Sequence, residues 1–235
     1  MRITVATQEF AKALYRAVGI ADKKSTMPVL AHVLLKAESG VGLTVSATDL
    51  DVGIQGTYQA DVQVSGSVSV NAKHLFEIIK SLTSDSISLE VKDNYWIEVH
   101  SGAFKTNLVG MNAEEFPALP EPGDIKTFKV PADALIQMID RTLFCVSTDD
   151  NRHNLSGVYC ESTESGLLRM VATDGHRLAL SEHQFDCDIS LSQGVIVPRK
   201  GFQELKRVLS DGDSTKEVEL GFSERNGILK TDSVT

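Results

Sequence analysis

Three side chains that could perform acid–base or metal chemistry stand together in the stretch Thr173-Asp174-Gly175-His176-Arg177. Apolar runs flank it, with Val171-Ala172 before it and Leu178-Ala179-Leu180 after it. Asp-Gly between two such runs is a strong hairpin signal, because glycine supplies the positive φ that the turn needs. The stretch therefore indicates either a catalytic or metal-binding site, or the rim of a binding surface.

The surrounding sequence bears on that choice. His176 has no second histidine or cysteine at ligand spacing, and Asp174 has no identifiable carboxylate partner for acid–base work. The pattern Ala-Thr-Asp also occurs about 125 residues earlier, ending at Asp49, without a following Gly-His-Arg. The repeated Thr-Asp favours turn architecture, whereas Gly175-His176-Arg177 is unique to the second half and favours a function. A hydrolase or metalloenzyme centred on Asp174 and His176 remains the alternative.

A repeated unit positions this stretch. Four short β-type runs end in valine, about every 65 residues, and each leads into a helical run. The four valines are Val5, Val70, Val130 and Val197. The fifth residue after each valine is large and apolar, namely Phe10, Leu75, Leu135 and Phe202, and the eighth is Ala13, Ile78, Met138 or Leu205. This spacing predicts helices over 9–18, 73–80, 133–141 and 199–209.

Short alternating runs between the helices predict about three strands after each one. The fold class is therefore α+β, built from repeated strand-helix-three-strand units with two units per domain. A Pro-rich connector at 116–123 separates a first domain, 1–120, from a second, 121–235. After the fourth helix only the runs 216–222 and 227–230 are strand-like, and a third barely begins at Val234-Thr235. We therefore expect the second domain to lack its last strand.

Composition narrows the class of protein. With 42% hydrophobic and 23% charged residues, the chain is typical of a globular protein with a substantial core. Three cysteines, Cys145, Cys160 and Cys187, form neither an even framework nor a C-x-x-C pair, which favours a reducing compartment. No signal-peptide pattern or long apolar run is present, so we expect a cytoplasmic protein without membrane contact. No phosphate loop, cofactor motif or metal-ligand spacing is present, and no cofactor or metal is expected.

Charge is segregated along the chain. The net charge is −9, but the four predicted helices together carry +4, which leaves −13 for strands and loops. A helical wheel counted from each valine places several basic residues on the solvent face. They are Lys12, Lys73, Lys80, Lys200 and Arg207, with Arg199 and Lys206 beside them. The third helix departs from this pattern with Asp133 and Asp140. Basic helices on an acidic body predict non-specific contacts with DNA phosphates.

Five sequence blocks resemble one known family along the whole chain. They are Thr26-Met27-Pro28-Val29-Leu30, Phe116-Pro117, Arg152 with Leu155 and Gly157, Ala172 to Ala179, and Ile196-Val197-Pro198-Arg199-Lys200-Gly201. The chain resembles the bacterial DNA polymerase III beta subunit, the sliding clamp. The resemblance implies the DNA-clamp fold and a non-enzymatic processivity factor. Such a clamp encircles duplex DNA as a ring-shaped homodimer and tethers the replicative polymerase, the clamp loader and repair proteins through a short peptide motif.

The resemblance also implies roles for individual residues. DNA contacts carry over to Lys24, Lys73, Lys80, Arg199 and Lys200. The partner-peptide pocket corresponds to Arg152, Leu155, Thr173, Gly175, His176, Arg177 and Leu178. The ring interface includes Phe104 and Leu108. The family has a third domain that has no counterpart here, so we expect a fragment that does not close the ring by itself and in which the peptide pocket is incomplete.

Overall fold

The computed structural model describes residues 1–21, 26–119, 125–149, 152–187, 189, 191, 194–210, 217–223, 227–231 and 234–235. Lys24, one of the predicted DNA contacts, lies outside the described residues. The chain forms two compact units. The first is Met1–Pro120 with Val234, and the second is Glu121–Ser233 with Thr235.

The first unit has eleven regular elements among its described residues. They are β1 (Arg2–Ala6), α1 (Thr7–Ile20), β2 (His32–Glu38), β3 (Gly42–Thr48), β4 (Gly53–Tyr58), β5 (Ala60–Val64), β6 (Gly66–Asn71), α2 (Ala72–Ser81), β7 (Ser86–Val91), β8 (Trp96–Ser101) and β9 (Phe104–Met111). The strands form one sheet in the order β4-β3-β2-β6-β9-β8-β7-β1-β5. Each strand that leads into one helix pairs with a strand that follows the other helix. Thus β1, which leads into α1, lies beside β7, and β6, which leads into α2, lies beside β2.

The second unit repeats this arrangement in its described residues. Its elements are β10 (Thr127–Pro131), α3 (Ala132–Thr142), β11 (Gly157–Ser162), β12 (Leu168–Thr173), β13 (Leu178–His183), β14 (Val195–Pro198), α4 (Arg199–Ser210), β15 (Glu217–Phe222) and β16 (Gly227–Lys230). They form two sheets, β13-β12-β11-β14 and β10-β15-β16. The same pairing recurs: β14, which leads into α4, pairs with β11, which follows α3, and β10, which leads into α3, pairs with β15, which follows α4.

The repeat explains how the helices reach the core. Each leading strand passes directly into its helix, and the helix bounds lie within two residues of those predicted. The fifth residue after each valine is at most 1% exposed in all four helices, which confirms the predicted core positions. The eighth position is buried at Ala13 and Met138 but only half-buried at Ile78 and Leu205. The second helix of each unit is therefore seated less deeply than the first.

Strand β5 was not predicted. After β4 the chain turns at Gln59. It then forms β5, which runs antiparallel to β1 at the edge of the sheet opposite β4. None of its five residues is fully buried. A strand at a sheet edge needs no apolar face of its own, and so the periodicity that reveals the other strands is weak in this run.

Two further sequence expectations concern single features. Cys145 and Cys160 are buried free thiols, and burial raises the pKa of the Cys160 thiol, whereas Cys187 is partly exposed. Within the described residues, no helix combines the length and apolar character needed to cross a membrane.

Candidate functional site

The predicted hairpin is present between β12 and β13. Asp174 Oδ1 accepts hydrogen bonds from the backbone N–H groups of His176 at 2.9 Å and Arg177 at 3.0 Å. The Thr173 hydroxyl donates to the Arg177 carbonyl at 2.7 Å and accepts from the Gly175 N–H at 3.1 Å. Gly175 has φ +89°, the left-handed conformation that glycine adopts without steric cost. Thr173 and Asp174 therefore hold the turn closed from within.

Asp174 is committed to this structural role. The backbone N–H of His176, then the N–H and guanidinium of Arg177, lower the pKa of its carboxyl to about 2. In the described hydrogen bonds its partner at position 176 is the backbone, not the imidazole. No group of three or more potential metal ligands occurs among the described residues. A carboxylate this strongly stabilised in its charged form is a poor general base at neutral pH.

The first unit contains the same turn at Thr48 and Asp49. Asp49 Oδ1 accepts from the N–H groups of Asp51 at 3.0 Å and Val52 at 2.7 Å, and the Thr48 hydroxyl donates to the Val52 carbonyl at 3.1 Å. Leu50 stands where the second unit has glycine and adopts φ +80°. The interpretation of the repeated Thr-Asp as turn architecture is confirmed.

A cleft of about 390 Å³ lies beside the hairpin of the second unit. Three residues of the predicted peptide pocket, Arg152, His176 and Arg177, line it together with Asp174. The other lining residues are Phe144, Val146, Ser147, Thr148, Asp149 and Arg199. Thr173, Gly175, Leu155 and Leu178 do not line this cleft, although Gly175 lies against the Arg152 guanidinium, which would be 3.3 Å from an added Cβ. Three of the seven predicted residues therefore line the cleft, and Thr173, Gly175 and Leu178 lie beside them in the hairpin and its first pair.

The Arg177 side chain makes three contacts in the cleft. Its Nε donates to Asp174 Oδ2 at 2.9 Å, and its Nη2 donates to the Phe144 carbonyl at 2.9 Å. The guanidinium also lies 5.6 Å from the centroid of the Phe144 ring, a cation–π geometry. Phe144 follows α3 with no sequence motif of its own, so only the fold could reveal it. Arg177 thus lines the cleft with its guanidinium held by the Asp174 carboxylate, the Phe144 carbonyl and the Phe144 ring.

The remaining charges of the cleft are loosely paired. Arg152 Nε lies 3.3 Å from Asp149 Oδ2, and both side chains are about half exposed. Arg199, predicted as a DNA contact, lines the cleft as well. Three arginines against two aspartates leave the cleft with a net positive charge. This charge suits a partner that offers carboxylates or backbone carbonyls together with an apolar side chain for Phe144.

The basic helices differ between the two units. On α2, Lys73 and Lys80 are exposed, and the Lys80 ammonium lies 5.8 Å from the centroid of the Phe76 ring. On α1, Lys12 pairs with Glu9 at 3.7 Å, and Arg16 is buried. Lys73 and Lys80 are therefore exposed cations that form no ion pair with an acid among the described residues.

In the second unit acids moderate the basic charge. Lys206 of α4 forms an ion pair with Asp140 of α3, and Lys200 is half-buried. Arg207, predicted on the solvent face, is partly exposed, since its side chain is 27% exposed and pairs with Glu204 at 3.4 Å.

Phe104 and Leu108, the predicted ring-interface residues, lie on β9. They face the same side of the sheet as buried Ile97, since Leu108 pairs with Ile97 and Phe104 with Ser101. Phe104 is nevertheless exposed and Leu108 half-buried. In the described residues β9 pairs with β6 only at Gly110 and Met111, which leaves the edge from Phe104 to Val109 open.

Comparisons with known proteins agree with this architecture. The model of the DNA polymerase III beta subunit N-terminal domain matches residues 1–120, and that of the central domain matches residues 129–235. The beta sliding clamp of Caulobacter vibrioides is 34% identical over 225 residues, which cover 94% of this chain and 60% of the relative. The chain thus spans about 60% of the length of this curated relative.

Solved structures give the same result. The DNA polymerase sliding clamp from Caulobacter crescentus has a TM-score of 0.92 at 33% identity, covering 100% of this chain and 64% of that one. A sliding clamp from Bartonella birtlesii bound to griselimycin has a TM-score of 0.91 at 32% identity, covering 100% of this chain and 63% of that one. The predicted α+β DNA-clamp fold is confirmed. The chain belongs to the DNA polymerase III beta subunit family.

Proposed function

We propose that the chain forms the first two domains, 1–120 and 121–235, of a DNA sliding clamp. In this role it is a non-enzymatic processivity factor that encircles duplex DNA and tethers a polymerase and repair proteins. The observation that carries the proposal is the placement of positive charge on the helices of a fold that matches solved clamps over its whole length. Topological linkage to DNA raises the local concentration of a bound polymerase, so weak docking suffices and no chemistry is required.

The DNA contacts of this proposal are the basic helix residues. Lys73 and Lys80 stand two turns apart on α2 and are exposed, so both can approach phosphates. Arg199 and Lys200 at the start of α4 are the second set, with Lys24 from the first unit. Contacts of this kind read no bases and weaken steeply with salt.

The partner site of this proposal is the cleft beside the β12–β13 hairpin. A short peptide from the replicative polymerase, the clamp loader or a repair protein would place an apolar side chain against Phe144 and polar groups against Arg152 and Arg177. Leu155, Thr173, Gly175, His176 and Leu178 complete the proposed set. The hydrogen bonds from Arg177 to Asp174 and to the Phe144 carbonyl support the assignment, because a guanidinium that is already positioned loses little entropy on binding.

The remaining part of the proposal concerns the full-length protein in the bacterial cytoplasm. There Phe104 and Leu108 would contribute to the interface of a ring-shaped homodimer. The open edge of β9 and the exposure of Phe104 support this assignment.

Salt-dependent binding tests the DNA role. We compare the wild-type chain with Lys73→Gln/Lys80→Gln by fluorescence anisotropy on a duplex of arbitrary sequence over a series of low salt concentrations. If both lysines contact phosphates, the slope of log K against log salt should fall in magnitude by about 1.8, from about 0.9 per contact. The matched control is Lys36→Gln/Lys105→Gln, which removes the same charge from sheet strands of the same unit.

The two double variants separate the possible outcomes. Equal slopes for both would mean that only net charge matters and would contradict the assignment to α2. A smaller slope for Lys73→Gln/Lys80→Gln alone supports it. Binding that depends on the sequence of the duplex would also contradict the proposal.

A further inference from the structure

Two aromatic rings meet between the basic helices of the first unit. The Tyr15 ring of α1 lies 6.1 Å, centroid to centroid, from the Phe76 ring of α2, at an interplanar angle of 44°. This tilted contact is one of the arrangements that aromatic pairs prefer. Tyr15 is 39% exposed and Phe76 is half-buried. We call Tyr15 and Phe76 the aromatic pair.

The aromatic pair lies at the solvent edge of the contact between the two helices. On α1, Tyr15 follows buried Leu14 and therefore stands about 100° around the helix from it. On α2, Phe76 follows buried Leu75 in the same way. Each ring thus leaves the core side of its helix, and the two rings contact each other where the helices meet.

Cations of α2 flank the aromatic pair. The Lys80 ammonium lies 5.8 Å from the centroid of the Phe76 ring. Lys80 follows Phe76 by four residues and Lys73 precedes it by three, and residues at these spacings are neighbours on a helix surface. Glu77, an exposed acid of the same helix, stands about 100° around it from Phe76. Two cations therefore share a side of α2 with Phe76, whereas Glu77 points in another direction.

The second unit indicates that helix packing does not require these rings. Counted from the leading valine, the position of Tyr15 is held by Asp140 on α3, and that of Phe76 is held by Gln203 on α4. Asp140 forms an ion pair with Lys206 of α4, so the equivalent helices meet through charged groups. An aromatic pair in one unit alone therefore favours a ligand contact over a requirement of the fold.

We propose that the aromatic pair is a stacking site for an unpaired base of single-stranded DNA. The base stacks on the exposed part of the Tyr15 ring, which Phe76 supports, while Lys73 and Lys80 contact neighbouring phosphates. Aromatic side chains beside positive charge hold single strands of any sequence, because every base has a face that can stack. A duplex offers no unpaired base to such a site. The inference rests on the proposed DNA role of α2 and adds single-stranded DNA as a ligand of the same helix pair.

The binding of three probes tests the proposal. Fluorescence anisotropy at low salt compares a single strand of thymidine nucleotides, an abasic strand with the same number of phosphates, and the duplex of arbitrary sequence. The wild-type chain should bind the thymidine strand at least about fivefold more tightly than the abasic strand, which is the lower end expected for one stacked base. Tyr15→Ala should remove that preference, whereas Tyr15→Phe should keep it, because the ring and not the hydroxyl stacks.

Tyr95→Ala is the matched control variant. Tyr95 is also 39% exposed and belongs to the first unit, but it lies in the turn between β7 and β8 and not on a helix. Its removal should leave the preference for the thymidine strand unchanged. A preference that survives Tyr15→Ala, or that Tyr95→Ala also removes, would overturn the proposal by placing the bound base elsewhere.

Two further outcomes separate this inference from the proposed DNA role. Equal affinities of the wild-type chain for the thymidine and abasic strands would overturn the inference, and that result does not depend on the folding of any variant. Failure of the DNA role gives a different result, because Lys73→Gln/Lys80→Gln would then bind the duplex as tightly as the wild-type chain does.

Discussion

Leu50 offers a direct test of the repeated turn. It adopts φ +80°, whereas the equivalent position of the second unit is Gly175 at φ +89°. A non-glycine residue in the left-handed region carries a steric cost of about 1–2 kcal/mol. Glycine would remove that cost but would lose about 0.5–1 kcal/mol through its greater freedom in the unfolded chain. We therefore expect Leu50→Gly to stabilise the first unit by about 0.8 kcal/mol, within a range of about 0 to 1.5 kcal/mol.

The remaining contributions to this difference are small. The Leu50 side chain is 61% exposed, so its removal sacrifices little apolar burial. Its backbone N–H donates to the Thr48 hydroxyl at 3.0 Å, a bond that glycine retains. Leu50→Ala is the matched control, because it removes the side chain but keeps the unfavourable φ, and it should lie within about 0.5 kcal/mol of wild type.

Urea denaturation followed by tryptophan fluorescence measures the effect. Trp96 is the single tryptophan and lies in β8 of the first unit, so it reports on the unit that contains Leu50. Leu50→Gly should unfold at higher urea than Leu50→Ala, with the same dependence on urea concentration. A glycine variant no more stable than the alanine variant would refute the argument that the turn geometry imposes strain on Leu50.

Two further predictions concern the second unit. Because hydrogen bonds hold the pKa of Asp174 at about 2 in the folded chain, below its usual 3.8, its stabilising effect is complete above 3.8 and is lost as pH falls through 2. Asp174→Asn should therefore be less stable than wild type at neutral pH, and thermal melts at falling pH should show the gap closing between about 4 and 2; a gap independent of pH would be the contrary result. A double-mutant cycle of Phe144→Ala with Arg177→Ala should give a coupling energy of about 0.5–1 kcal/mol in urea denaturation. The cycle of Phe144→Ala with Arg152→Ala should give a coupling energy of about zero. Equal coupling energies in the two cycles would contradict the specific Phe144–Arg177 contact.

Much of the fold was accessible from the sequence because it repeats. A pattern seen once is weak, but a buried residue at the same distance from four valines located every helix to within two residues. The Thr-Asp repeat likewise separated turn architecture from candidate function before any geometry was known. Strand β5 was not predicted, because an edge strand with both faces partly exposed shows no alternation of apolar residues.

The candidate site was less accessible, for a physical reason. Arg152, His176 and Arg177 were identifiable from the resemblance, but Phe144 reaches the cleft only through the packing that follows α3.

Mapping the DNA-contacting surface tests the central claim most directly. Amide hydrogen exchange of the full chain is compared with and without a duplex of arbitrary sequence at low salt. If the helices face DNA, exchange should slow in α2 around Lys73 and Lys80 and in the first turn of α4 around Arg199 and Lys200, and this protection should disappear at high salt. Protection confined to sheet strands such as β8 and β13, with the helices unchanged, would contradict the proposed DNA clamp.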